Sequence, residues 1–252
     1  MDFQIDKIYN EDCLEGMKRI ADGAVDCIIT DLPYGTTACA WDSVIPFEPL
    51  WEQFKRVTKP NAAIVLFGSE PFSSALRMSN IKDYRYDWIW KKGERTANFY
   101  DAKRRPLLNH KVISVFYRSL PTYNPQMTKG EPNHGTKSGA VYQKQTLGSN
   151  VEYIANTSDE KYPKTIINFE REYDKDKLGL HPTQKPVDLL RYLILTYSND
   201  GDTILDATTG SGTTAVAALM EKRHFIGFET NKEYFDIAQG RINEVLRNPT
   251  LF

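Results

Sequence analysis

The residues with most chemical promise begin at Asp31-Leu32-Pro33-Tyr34-Gly35. They follow Val25-Asp26-Cys27-Ile28-Ile29-Thr30, an apolar, β-branched run that reads as a buried strand of a parallel sheet. Asp31 would close that strand at the carboxyl edge, where open α/β sheets bind ligands. Pro33 fixes its own φ and biases Leu32 towards an extended conformation. Gly35 permits a sharp exit. The result is a stiff loop presenting a carboxylate, a backbone carbonyl and an aromatic ring. Taken alone, the stretch reads equally well as ordinary strand-to-turn punctuation.

A second cluster lies near the end of the chain. Thr203-Ile204-Leu205 reads as a strand, Asp206-Ala207-Thr208-Thr209-Gly210-Ser211-Gly212 as a turn, and Thr213 to Lys222 as an Ala-rich helix. Gly210-x-Gly212-x-x-Ala215 fits the nucleotide-binding pattern of strand, glycine turn and helix. Glycines admit close backbone approach, and a helix N-terminus offers free N–H groups. Glu229 closes the next strand, His224 to Phe228, where a carboxylate can accept hydrogen bonds from two ribose hydroxyls. No Lys follows the last Gly, which excludes a Walker loop. The pattern leaves open a dinucleotide or an adenosine-containing sulfonium.

The elements that must position these residues alternate. Short strands are expected at Gln4 to Tyr9 and Ala62 to Phe67, and further strands at Tyr84 to Lys91 and Lys111 to Tyr117. Helices are expected from Leu14 to Ile20, from Pro49 to about Val57, near Phe72 to Met78, from Val187 to Tyr197 and from Lys232 to about Arg247. Lys59-Pro60-Asn61 reads as a break. This order predicts an α/β, mostly parallel, doubly wound sheet with helices on both faces. From Ser119 to Leu180 the periodicity dissolves into a polar stretch punctuated by Gly and Pro. Long irregular segments of this kind are functional or disordered. We read 119–180 as a recognition insertion between a half spanning 1–118 and a half spanning 181–252.

Composition narrows the class. A length of 252 residues with 40% hydrophobic and 26% charged residues suits one α/β domain carrying an insertion. Net charge is −1, but it is unevenly spread. Between Lys82 and Lys144, thirteen Lys and Arg stand against five Asp and Glu, an excess of +8, leaving −9 for the remainder. That asymmetry predicts a basic face on an acidic body. Within it, Trp88, Trp90, Lys91, Lys92 and Arg95 mix aromatics with charge, and Lys103-Arg104-Arg105 follows. These cations are candidates for phosphate contact. Core packing is the competing reading for the tryptophans, stronger for one of the two. Cys13, Cys27 and Cys39 lack metal-type spacing, so reduced thiols and a cytoplasmic setting are expected. His110, His134 and His224 form no cluster, and no metal is expected. No signal peptide and no apolar run of membrane-spanning length stands out.

Together the motifs resemble those of the S-adenosylmethionine-dependent DNA amino-methyltransferases. Asp31-Leu32-Pro33-Tyr34 is similar to the family's aspartate-proline-proline-tyrosine motif. Asp206 to Thr214 is similar to its glycine-rich motif, and His181-Pro182-Thr183-Gln184-Lys185-Pro186 to the segment preceding the cofactor strand. The catalytic motif precedes the cofactor motif, which resembles the circularly permuted β-class order. Leu32 replaces the first proline, and Ala207 and Thr208 replace the usual proline and phenylalanine. The resemblance implies a Rossmann-like methyltransferase fold and methyl transfer from S-adenosylmethionine to adenine N6, Asp rather than Ser at position 31 being closer to that branch. It implies Asp31, Leu32, Pro33 and Tyr34 at the target base. It implies Glu229 at the cofactor ribose, Asp12 with Cys13 beside it near the adenine, and Asp206, Gly210, Gly212 and Thr213 along the methionine moiety. Thr183 and Lys185 are expected at its carboxylate. Double-stranded DNA is the implied partner, with the target flipped out, and homodimers are common in the class. Alternatives from the residues are a cytosine-N4 or RNA methyltransferase with the same site, a DNA-binding protein with a degenerate cofactor site, and a nicotinamide oxidoreductase.

Overall fold

In the computed structural model, the described residues are 4–36, 42–93, 96–97, 99–131, 141–143, 150–152, 159–170 and 184–248. In chain order the elements are β1 (Lys7–Tyr9), α1 (Cys13–Met17), β2 (Val25–Thr30), α2 (Phe47–Val57), β3 (Thr58–Gly68), α3 (Phe72–Ser79), β4 (Tyr84–Lys91) and β5 (His110–Phe116). Four short strands follow, β6 (Thr128–Lys129), β7 (Val141–Gln143), β8 (Asn150–Glu152) and β9 (Glu160–Lys161). The chain continues with β10 (Ile166–Asn168), α4 (Val187–Tyr197), β11 (Thr203–Asp206), α5 (Thr213–Met220), β12 (His224–Phe228) and α6 (Lys232–Arg247). Two compact units result. Residues 1–124 and 165–252 make one, and 125–164 make the other, which carries the antiparallel pairs β6–β9 and β7–β8.

The larger unit is built on an eight-stranded sheet of order β1-β12-β11-β2-β3-β5-β4-β10. The apolar run of β2 divides its side chains by alternation. Cys27 and Ile29 point to one core with Leu189 and Leu193 of α4, Ala217 of α5 and Ile242 of α6. Ile28 points to the other core with Met17 of α1, Leu50 and Phe54 of α2, and Leu76 of α3. Period-two alternation thus requires cover on both faces, and the helices supply it. Burial of Leu50, Trp51, Phe54 and Val57 gives α2 one apolar face.

Sheet order also explains the permuted motif order. β11 and β12 come late in the chain but insert between β1 and β2, so the glycine-loop strand lies directly beside the strand of Asp31. From β11 the chain winds through α5 towards β12, and from β2 it winds through α2 towards β3. The crevice between β11 and β2 is therefore the topological switch point of the sheet.

Several expectations are refined. α2 starts at Phe47, with Pro49 in its first turn, where a missing N–H costs no intrahelical bond. Lys59-Pro60-Asn61 belongs to β3, where the β2–β3 register shifts between Val25 and Cys27. Pro fits such an irregularity because it has no N–H to pair. Among the described residues, the connection from β4 to β5 carries a short 3-10 turn, Phe99–Asp101, and no α-helix, and the two strands pair antiparallel. β3 and β5 are antiparallel as well. β10, from the stretch without periodicity, pairs parallel to β4 and joins the main sheet. Both Trp88 and Trp90 are buried, so both belong to the core. Among the described residues, no helix is long and apolar enough to cross a membrane.

Candidate active site

β2 delivers Asp31 to the switch point, and the neighbouring strand fixes its backbone. Thr208 Oγ1 donates to the Asp31 carbonyl at 3.1 Å and lies 2.9 Å from Thr30 Oγ1. Position 208, a departure from the family motif, thus acts as a tie between the two motif loops. Beyond Asp31 the chain turns on Gly35, whose φ is +66°. Buried Asp42 holds that turn, its Oδ1 accepting the N–H groups of Tyr34 at 2.7 Å and Gly35 at 2.9 Å, and its Oδ2 that of Thr36 at 2.9 Å. Three charge-assisted bonds to consecutive backbone donors make this loop stiff. The sequence marks nothing special at Asp42; only the unpaired N–H groups that a sharp turn leaves behind call for such an acceptor.

The Asp31 carboxylate is engaged at both oxygens. The Tyr34 hydroxyl donates to Oδ1 and the Lys185 ammonium to Oδ2. The Tyr34 ring packs against Phe72, centroids 5.0 Å apart, and the Lys111 ammonium lies 4.4 Å from its centroid. Burial pushes the Tyr34 phenol up, keeping it a hydrogen-bond donor. Burial pushes Lys185 down to about 7, with Asp206 acting in the opposite direction. Lys185, expected at a cofactor carboxylate, is thus directed onto Asp31.

The glycine loop after β11 is held by Glu229. Its Oε2 accepts the Gly210 N–H at 2.8 Å and its Oε1 the Asn231 N–H at 2.8 Å. Gly212 has φ +82°, and an added Cβ would stand 2.9 Å from the Ala238 Cβ and 3.0 Å from its Cα. Glycine is required there by conformation and by the approach of α6. Arg241 of α6 donates to the Ser211 carbonyl at 2.7 Å. Asp206 is buried and accepts the Thr208 N–H at 3.2 Å; burial raises its carboxyl, as it raises that of Glu229, while these hydrogen bonds oppose the shift.

A cavity of about 440 Å³ joins the two loops. Asp31, Leu32, Pro33 and Tyr34 line it together with Lys185. Asp206, Gly210, Thr213 and Glu229 line it from the glycine loop, and Asp12 and Cys13 from the start of α1. Gly212 supports the loop from behind, against Ala238. Asp12 Oδ1 caps α1, accepting the Leu14 N–H at 2.8 Å, and burial pushes the Cys13 thiol up to about 12. Lys92 lines the cavity, whereas Lys91, Lys103, Arg104 and Arg105 do not. Thr183 and Arg95 lie outside the described residues. Lys111, unmarked in the sequence, also lines it. The donor set suits an adenosine-bearing group. A carboxylate ends the strand after the glycine loop, backbone can approach closely at Gly210, and the first residues of α5, Thr213 and Thr214, line the cavity. Among the described residues, no group of His, Cys, Asp and Glu is gathered as metal ligands.

Comparison with known proteins agrees with this geometry. Residues 25–240 match the N6_N4_Mtase family model, described as DNA methylase. The DNA adenine methyltransferase YhdJ of Escherichia coli (strain K12) is 28% identical over 94% of this chain and 82% of its own length. Among solved structures, the M1.HpyAVI–SAM complex superposes with a TM-score of 0.61 at 24% identity, covering 94% of this chain and 98% of that one. The cytosine-N4-specific PvuII DNA methyltransferase superposes with a TM-score of 0.67 at 14% identity, covering 96% and 91%. The mostly parallel sheet, the adjacent motif loops and the family match over most of the chain lead to one assignment: this chain belongs to the DNA methylase family.

Proposed function

We propose that this DNA methylase transfers the methyl group of S-adenosylmethionine to N6 of an adenine flipped out of double-stranded DNA. The observation that carries the reading is the juxtaposition, in one cavity, of the Asp31 loop and the glycine loop with Glu229. S-adenosylmethionine supplies an electrophilic methyl group on a sulfonium. Glu229 holds the ribose hydroxyls, and the Gly210 to Thr213 backbone, with Asp206, flanks the methionine part. Asp12 and Cys13 lie towards the adenine.

The exocyclic nitrogen of adenine is a weak nucleophile because its lone pair is delocalised into the ring. Asp31 and the Leu32 carbonyl accept its two N–H groups, which favours a pyramidal nitrogen with a localised lone pair. Both acceptors bind more strongly as positive charge develops on nitrogen, the condition for lowering a barrier. Tyr34 stacks on the extruded base, and Pro33 keeps the loop rigid. Lys185 holds Asp31 in place before the base arrives and yields Oδ2 to the amino group. Lys91, Lys92, Arg95, Lys103, Arg104 and Arg105 serve the phosphates. A cytoplasmic setting is consistent with the free buried thiols Cys13 and Cys27, and homodimerisation follows the resemblance.

The decisive experiment is transfer of labelled methyl from S-adenosylmethionine to duplex DNA, followed by nucleoside mass spectrometry. N6-methyladenine is the expected product. N4-methylcytosine as the sole product would move the target to cytosine, the base named for the PvuII enzyme. No transfer to any base would overturn the reading.

A further inference from the structure

The connection between β4 and β5 leaves the sheet on the same edge as Asp31. Asp31 follows Thr30, which pairs with Leu66 near the end of β3. Gly68, the last residue of β3, pairs with Val112 near the start of β5, and Lys91, the last of β4, pairs with His110. The feet of the connection, Lys92 and Lys111, both line the Asp31 cavity. An antiparallel bridge between Ala97 and Leu108 carries the hairpin outward, and the Phe99–Asp101 turn forms part of its tip.

That tip is unusual in chemistry. Phe99 is 79% exposed and Tyr100 is 82% exposed, two consecutive large aromatic side chains standing in water. Lys103 and Arg104 are exposed just beyond them, and Arg105 pairs with Asp101 at 2.5 Å. The Ala102 N–H donates to the Phe99 carbonyl at 3.1 Å and the Arg104 N–H to the Asp101 carbonyl at 2.8 Å, so the aromatics sit on a folded turn. A partner that covers this tip must offer apolar, π-faced surface bounded by negative charge. A base stack flanked by phosphates meets both requirements. Extruding one base leaves a gap in a stack whose steps are about 3.4 Å apart, a spacing that a flat ring fills, and side-chain wedges of this kind unstack base steps.

We propose that Phe99 and Tyr100 form a wedge that enters the base stack beside the extruded nucleotide while Lys103 and Arg104 grip the flanking phosphates. This assignment rests on the base-flipping reading above, and it gives the hairpin tip a role separate from catalysis. The gap closes over aromatic rings instead of over the returning base, so the extruded state is held open from outside the cavity.

The test is the affinity of the full chain for a duplex containing one abasic position relative to the intact duplex. The wild-type protein is expected to prefer the abasic duplex, because the gap is already present. The F99A/Y100A variant is expected to lose that preference, by about five- to 150-fold if one stacking contact vanishes. Phe99→Trp in an otherwise unchanged chain is expected to retain it. Calorimetric affinity for S-adenosylmethionine and the thermal unfolding midpoint check that the variant is intact. An equal preference in wild type and F99A/Y100A overturns the wedge, and so does the absence of any preference in the wild type. A loss of self-association in the variant with the preference intact assigns the aromatics to a second copy of the chain and also overturns it. Failure of methyl transfer by the wild type would instead strike the catalytic reading, because the abasic comparison requires no chemistry.

Discussion

Asp31 is held by two donors of opposite consequence. Tyr34 offers a neutral hydroxyl that stays protonated, whereas Lys185 offers an ammonium that burial has pushed down to about 7. In the proposed reading, the charged ammonium competes with the target amino group for Oδ2. As pH rises through about 7, Lys185 loses its proton, the competition weakens and the neutral amine becomes able to take a proton passed on by Asp31. Single-turnover methyl transfer is therefore expected to rise with pH through that value. Lys185→Met should remove the rise while leaving S-adenosylmethionine affinity intact; a profile unchanged by the substitution would detach Lys185 from Asp31 in function. At the other end of the cavity, Glu229→Ala removes a carboxylate that already accepts two backbone N–H groups. Loss of about 1.5–3 kcal/mol in calorimetric cofactor affinity is expected, the scale of hydrogen bonds to charged groups, and unchanged affinity would take Glu229 out of the site.

The elements were legible in proportion to their length and periodicity. α4, β12 and α6 have the bounds that the apolar pattern predicts, because α4 and α6 each bury a stripe long enough to show its period and β12 is buried along four consecutive residues. β10 was not legible. It is three residues long, only Ile167 of it is buried, and its pairing with β4 spans more than seventy residues. The pairing direction of β4 and β5 was equally hidden, since strand runs show which residues are buried and not which neighbour they take. In the site, the types and spacing of Asp31, Gly210 and Glu229 were readable, but the Asp42 clamp and the Lys185–Asp31 contact arise from the folded backbone. The turn into α5 is the element most exposed to a single change. Gly212→Ala forces an L side chain to φ +82° and into Ala238, and should cost about 1–3 kcal/mol of unfolding free energy. Chemical denaturation measures it directly, and an unaltered midpoint would mean that the loop relaxes freely.

At the scale of the whole molecule, a chain of net charge −1 carries an excess of +8 between Lys82 and Lys144. Lys103, Arg104 and Arg105, all exposed, belong to that excess. Replacing the three with Gln should flatten the dependence of DNA affinity on salt, by up to about 0.9 in the log–log slope for each lost phosphate contact. Arg105 is expected to contribute least, because Asp101 already neutralises it; an unaltered slope would place the triplet away from DNA.

The role proposed for Asp31, set at the switch point of the sheet, is to activate the amino group of the flipped base. It is tested most directly by single-turnover transfer from S-adenosylmethionine to duplex DNA with Asp31→Ala, with products identified by nucleoside mass spectrometry. The expected result is N6-methyladenine from the wild type and a rate lower by about 10²–10³ in the variant, the usual cost of losing one preorganised hydrogen-bonding group. Cofactor affinity should be retained because the glycine loop belongs to β11 and β12, and DNA affinity should be retained because phosphate contacts dominate it. Near-normal transfer by Asp31→Ala would remove Asp31 from the chemistry.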